Sequence, residues 1–170
     1  KLWDIQLGNG IMAAPSTFSL DGRQYVSVLV GWGGASGLYA QNPTKQYKAP
    51  GRLFTFVLDG KAKLDPVRGI DKNPLTVIEH TAAAGELERG ATLFGRRCSM
   101  CHGVAAVSGG TIADLRYALP TTYDMFERIV RQGAYQGLGM PKFDFLSDAD
   151  VAAVKSYLLS RRKELTDAAH

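Results

Sequence analysis

The side chains best suited to chemistry are Cys98, Cys101 and His102, in the run Cys98-Ser99-Met100-Cys101-His102. A C-x-x-C-H run reads as a covalent haem attachment site. Two thiols at this spacing can each form a thioether to one haem edge. The histidine that follows is then placed under the iron as its proximal ligand. No other cysteine occurs in the 170 residues, so nothing is left over for a structural disulfide. A thioredoxin-like redox pair would sit at a helix start after a strand, in a βαβ pattern. Here the pair follows an amphipathic helix and leads into a Gly-rich loop. A structural zinc ion wants four protein ligands, and His80 and His170 are the only other histidines.

Haem iron needs a sixth ligand or an open position. Downstream lies Gly137-Leu138-Gly139-Met140-Pro141-Lys142-Phe143, where Met140 sits on a loop punctuated by Gly and Pro. His/Met ligation raises the reduction potential and suits electron transfer rather than oxygen chemistry. Of the other methionines, Met100 lies inside the motif and cannot reach the far haem face. Met125 belongs to a helical pattern whose apolar side is expected to bury it, and Met12 is far upstream among strands. Met140 is the expected ligand, with His80 and His170 as weaker competitors.

These groups need elements to hold them. Glu86 to Arg97 places Leu87, Ala91 and Phe94 at helical spacing, with Glu86 and Glu88 in the first turn. Gly90 inside it suggests close approach by another backbone. Ser147-Asp148-Ala149-Asp150 gives an N-cap and an acidic first turn. Val151, Val154, Tyr157 and Leu158 follow as an apolar stripe, and the helix is expected to end in Arg161-Arg162-Lys163. The two helices are expected to cross, Gly90 and Phe94 meeting Tyr157 and Leu158.

Gly90-x-x-Leu93-Phe94-x-x-x-Cys98-x-x-Cys101-His102-Gly103, then Gly139-Met140-Pro141, then Tyr157-Leu158 in a terminal helix, resembles a class I cytochrome c domain over about Leu87 to Leu159. The resemblance implies crosswise packing of the first and last helices. It also implies covalent haem c on Cys98 and Cys101, with His102 and Met140 as axial ligands. Arg116, in Asp114-Leu115-Arg116-Tyr117, has two readings of equal weight: a partner for a haem propionate, or a solvated loop arginine.

Residues 1–60 have a different texture. Thr17 to Leu20, Asp21-Gly22 and Arg23 to Val30 read as a hairpin with a D-G turn. Arg52 to Leu58 alternates like a strand before Asp59-Gly60, and Leu2 to Leu7 reads as a further strand. Four strands make about one propeller blade plus an edge, too little to be stable alone. A strand at the first residue suggests a cut inside a larger β domain. Lys1-Leu2-Trp3 with Gly8-x-Gly10, Met12-Ala13-Ala14-Pro15, the hairpin, and Gly31-Trp32-Gly33-Gly34-Ala35 together resemble the last blades of type II quinohaemoprotein alcohol dehydrogenases. The fold expected from these resemblances is a β segment from the end of an eight-bladed β-propeller (1–60), a linker (61–85) carrying Pro66 and Pro74, and an all-α class I cytochrome c domain (86–170).

That family holds pyrroloquinoline quinone (PQQ) against a vicinal disulfide, beside a catalytic aspartate and a calcium ion. Both cysteines here are committed to haem, and Asp4, Asp21, Asp59, Asp65 and Asp71 fall in strand starts, turns or linker. No catalytic residue is therefore expected, and PQQ and Ca2+ are expected of a parent enzyme rather than of this stretch. Trp32 and Gly33 can touch the quinone from the closing blade, since glycine lets backbone approach a ligand. A packed tryptophan at a glycine-rich strand end is the competing and slightly favoured reading.

The net charge of +4 is diffuse: residues 1–80 carry nine basic and six acidic side chains, and 81–170 carry eleven and ten. A nucleic-acid partner would want a clustered basic face. No run approaches the roughly 18 apolar residues of a membrane span. Arg96, Arg97 and Lys142 flank the haem motifs and can bias docking of an acidic partner. Thioether attachment in bacteria takes place outside the cytoplasmic membrane, which makes the periplasm the expected compartment. The missing signal peptide is expected of a chain that lacks its true N-terminus.

The expected function is the electron-transfer end of a PQQ-dependent alcohol dehydrogenase. It would take electrons from its upstream propeller's quinone and pass them to a cytochrome, copper protein or membrane quinone. A free-standing cytochrome c carrier with a β extension is the alternative, and a metal-binding or thiol-redox domain is a weaker third.

Overall fold

Asp21 and Gly22 both take positive φ, 50° and 71°. That combination is what a two-residue type I′ hairpin turn requires. It joins β1 (Ser16–Leu20) to β2 (Arg23–Val30) with Phe18 opposite Tyr25. β3 (Arg52–Val57) pairs antiparallel with the other edge of β2, so the sheet order is β1-β2-β3. Val57 closes into the Asp59-Gly60 turn, where the Gly60 amide donates to the Val57 carbonyl at 3.0 Å. The computed structural model describes residues 1–43, 45–47 and 51–168. They divide into two units, Lys1–Asp71 with Gly109–Ile112, and Lys72–Ser108 with the chain from Ala113 onward.

Strand alternation gives the sheet two different faces. One face carries Phe18, Leu20, Leu29 and Leu53, all exposed, around a Ser27–Thr55 hydroxyl contact of 2.8 Å. On the other face Phe56 receives Trp3 edge-on, with ring centroids 5.3 Å apart. Leu2 to Leu7 departs from the expected strand. It forms no ladder, and only Gly10 bridges to Gly31. A strand needs a partner for its backbone groups, and here the chain turns at Gly8, φ 77°. The sheet therefore has three strands rather than four. Asn42 Nδ2 donates to the carbonyls of Trp32 and Gly109, and Thr111 Oγ1 donates to that of Gly37 at 2.9 Å, which ties Gly109–Ile112 into this unit.

The second unit is helical: α1 (Glu86–Arg97), α2 (Ser99–His102), α3 (Pro120–Asp124), α4 (Phe126–Val130) and α5 (Asp148–Ala168). α5 starts on a capping box, in which Ser147 Oγ accepts from the Asp150 amide and Asp150 Oδ2 accepts from the Ser147 amide. α1 crosses α5 at Gly90. A Cβ there would lie 2.0 Å from the Ala153 carbonyl oxygen, so no larger residue fits without moving a helix. Phe94 and Tyr157 meet beside the crossing, centroids 5.5 Å apart. Phe94, Val154 and Leu158 centre a core that Phe126 and Val130 complete.

Two details of this unit differ from expectation. α5 does not stop at Arg161-Arg162-Lys163 but continues to Ala168, braced by Arg161–Glu164 and Lys163–Asp167 pairs along its surface. Met125 is not buried. Its backbone (φ −89°, ψ 8°) breaks the helical run between α3 and α4, which turns Tyr123 and Phe126 inward and leaves Met125 37% exposed.

Candidate haem-binding site

α1 delivers the motif. The Cys98 amide caps the helix on the Phe94 carbonyl at 2.9 Å, and the chain re-enters a helical turn in which the Cys101 and His102 amides both donate to the Cys98 carbonyl. Both thiols are free. Beyond His102 the chain is forced to turn sharply. Gly103 has φ 81°, and a Cβ there would lie 1.9 Å from the Val107 carbonyl oxygen. Ala105 and Ala106 also take left-handed conformations, which cost about 1–2 kcal/mol per residue outside glycine. Ala106, fully buried, and the Arg161 Nε bond to the Ala105 carbonyl (3.1 Å) hold this segment in place.

The Met140 loop is anchored on the opposite side. Its Phe143 amide donates to the Val130 carbonyl at the end of α4 (2.7 Å), and the Met140 amide reaches the Tyr135 carbonyl (3.2 Å). Gly139 supplies the left-handed turn, φ 92°. A small apolar cavity of about 30 Å³ lies between these elements. Cys98, His102 and Met140 line it together with Phe94, Leu115, Val130 and Phe143. Cys101 is exposed at the motif's outer side.

The electrostatics suit iron rather than redox thiol chemistry. Burial, with Cys101 nearby, pushes the Cys98 thiol up to about 11, opposite to the lowered value of a reactive thiol. Burial also lowers the His102 imidazole, favouring the neutral form that ligates a metal. Its Nδ1 is buried without a hydrogen-bond partner, which is costly unless the ring has another use. A flat apolar group with an iron at its centre and two reactive edges fits this donor set. No cluster of three or more His, Cys, Asp or Glu side chains is placed to hold a bare metal ion among the described residues.

The remaining sequence candidates fall elsewhere. His80 Nε2 meets Ser156 Oγ at 2.7 Å, and that hydroxyl donates to Glu86 Oε1 at 2.8 Å, so His80 does not line the cavity. His170 lies outside the described residues. Met12 and Met100 are exposed. Arg116 is neither solvated nor in the cavity lining: Nε and Nη2 both bond Asp114, at 3.0 and 2.7 Å. In the β unit, Gly33 is buried with φ 86° and Trp32 keeps a half-exposed ring.

Sequence reasoning placed Arg97 beside the haem motif as a docking charge but missed its part in the cavity, and it missed Arg162 altogether. Arg97 lines the cavity and lies over the Phe145 ring, 5.3 Å from its centroid. Arg162 is buried within α5. The place of Arg97 directly before Cys98 was a usable signal. For Arg162, two flanking cations masked its inward position.

Residues 85–158 match the family described as cytochrome c oxidase, cbb3-type, subunit III. The fold and site of this unit thus define a cytochrome c domain, a class for which covalent haem c is the implied cofactor. The chain as a whole is 42% identical to the quinohemoprotein alcohol dehydrogenase ADH IIB of Pseudomonas putida, across 96% of this chain and 24% of that protein. It superposes on the structure of ADHIIG from Pseudomonas putida HK5 with a TM-score of 0.86 at 35% identity, covering 98% of this chain and 24% of that one. For the quinohemoprotein alcohol dehydrogenase of Comamonas testosteroni the TM-score is 0.70 at 34% identity, over 93% and 23%. The helical unit is thus a cytochrome c domain similar to that of quinohaemoprotein alcohol dehydrogenases, it is preceded by a three-stranded sheet, and the chain spans about a quarter of the length of these relatives.

Proposed function

We propose that this chain is the electron-exit portion of a PQQ-dependent alcohol dehydrogenase, carrying electrons from a reduced quinone to an external acceptor. One observation carries the reading: Cys98, His102 and Met140 line one apolar cavity. When bound, haem supplies one-electron exchange at its iron. Cys98 and Cys101 would hold it through thioethers, and His102 and Met140 would ligate its iron. The apolar walls at Phe94, Leu115 and Phe143 exclude water, which together with methionine ligation favours a high potential. Arg116, already neutralised by Asp114, is a poor candidate for a propionate; Arg97, on the cavity wall, is the better one.

The same reading assigns residues 1–60 to the closing part of an eight-bladed propeller, 61–85 to a linker and 86–170 to the cytochrome domain. The bare apolar face of the β1-β2-β3 sheet supports it, since a blade lays such a face on its neighbour. PQQ and calcium then belong to the upstream propeller, with Trp32 and Gly33 as the residues of this chain nearest in kind to a quinone contact. The periplasm is the compartment, and the acceptor is a cytochrome, a copper protein or a quinone. No helix among the described residues is long and apolar enough to cross a membrane.

The test is spectroscopic. Haem should survive acid–acetone extraction and give a c-type pyridine haemochrome. Met140→Ala should lower the midpoint potential and open the iron to carbon monoxide. An unchanged Met140→Ala spectrum would assign the sixth ligand elsewhere. The free-carrier alternative predicts that residues 1–60 can be deleted without aggregation.

A further inference from the structure

Arg162 is 2% exposed. Its Nε donates to the Thr76 carbonyl at 2.9 Å and its Nη2 to Thr76 Oγ1 at 3.0 Å. Its Nη1 donates to the carbonyls of Arg116 and Ala118, both at 2.9 Å. Every acceptor is neutral. The surrounding carboxylates are engaged elsewhere: Glu164 with Arg161, Asp167 with Lys163, and Asp114 with Arg116. Among the described residues no ion pair includes Arg162. A guanidinium stays charged in proteins, so this is a permanent buried positive charge balanced by neutral groups, the carbonyls and hydroxyls of Thr76, Arg116, Ala118 and Tyr123. Burying such a charge without a counter-ion costs several kcal/mol before hydrogen bonding offsets it. Ordinary architecture rarely needs one, because a Leu or Met would pack the site more cheaply.

Its location gives it a use. Leu158, one turn back on α5, lines the cavity, and so does Leu115, next to Arg116, whose carbonyl Arg162 holds. The guanidinium thus binds the backbone that follows Leu115, from a residue one helical turn beyond Leu158. We infer that Arg162, given the haem reading above, sets the reduction potential of this site by placing a fixed charge on that backbone. Reduction brings in one electron and lowers the charge at the iron by one, so a nearby cation favours the reduced form. At an effective dielectric of about 20, a unit charge about ten ångströms away shifts such an equilibrium roughly tenfold. For one electron that is about 59 mV. Arg162 is a positioning residue as well, since it pins residues 116–118, which follow Leu115.

Redox titration of the haem-loaded chain separates the charge from the packing. Arg162→Gln keeps polar contacts and removes the charge; it should lower the midpoint potential by roughly tenfold in equilibrium constant. Arg162→Met should do the same. Thr76→Val removes one acceptor and keeps the charge, so it should melt earlier at an unchanged potential. Arg162→Lys should stay close to wild type in potential. Wild-type potential in a folded, Met-ligated Arg162→Gln or Arg162→Met would overturn the inference. So would a Thr76→Val shift as large as that of the neutral variants. Failure of both neutral variants to fold, with Arg162→Lys folded, would assign the residue to architecture instead. A wild-type chain without a c-type haemochrome would sink the haem reading itself, a separate result.

Discussion

In the helical unit Phe94, Ala153 and Leu158 are no more than 2% exposed, whereas in the β unit Leu29, Leu53 and Leu58 are at least 58% exposed. The contrast does not come from composition, since both stretches are rich in apolar residues. Helices α1 and α5 can cross at Gly90 and bury their stripes on one another. A three-stranded sheet has a second face and nothing of its own to lay on it. The helical unit buries its own helix stripes around one cavity, and the sheet leaves an apolar face exposed.

Substitutions can break or sharpen that contrast. Phe94→Ala should cost about 3–5 kcal/mol of stability by leaving a void in the helical core, read from denaturant unfolding; a smaller loss would mean the crossing repacks freely. Gly90→Ala comes next, at about 1–3 kcal/mol, because its Cβ must displace the Ala153 carbonyl. A neutral result there would refute the close crossing.

Asp150 offers a pH-dependent comparison. Hydrogen bonds from Ser147 and Arg89 hold its carboxyl down to about 2, from an ordinary 3.8. Because the folded value is the lower one, the stabilisation is present above about pH 4 and disappears as pH falls toward 2. The melting-temperature gap between wild type and Asp150→Asn should therefore be widest near neutrality and close in acid. A gap that ignores pH would mean the cap does not depend on the carboxylate. The smallest effect is expected from Leu53→Thr on the bare sheet face, within about 0.5 kcal/mol. A core-sized loss would show that something already covers that face.

How much the sequence disclosed follows the range of each interaction. The Asp21-Gly22 turn, α1 from Glu86 to Arg97 and the Ser147 cap were legible because each is decided within a few neighbouring residues. That Cys98, His102 and Met140 would come together at one cavity was legible from the C-x-x-C-H spacing and the Gly/Pro loop around Met140. Leu2 to Leu7 misled because alternation describes a willing strand, not whether a partner exists. Arg161-Arg162-Lys163 misled because three cations in a row look like one solvated end. Only the distant carbonyls of Thr76, Arg116 and Ala118 reveal that the middle one points inward.

The Gly90 crossing has a consequence in time. α1 lies ahead of the haem motif, and the helix that completes its packing, α5, follows both the motif and the Met140 loop in the chain. Until α5 docks, Phe94 lacks Val154 and Leu158, the half of its core that lies across the Gly90 crossing. Long-range closure of this kind delays folding. The delay leaves the segment bearing the two thiols open until the crossing forms.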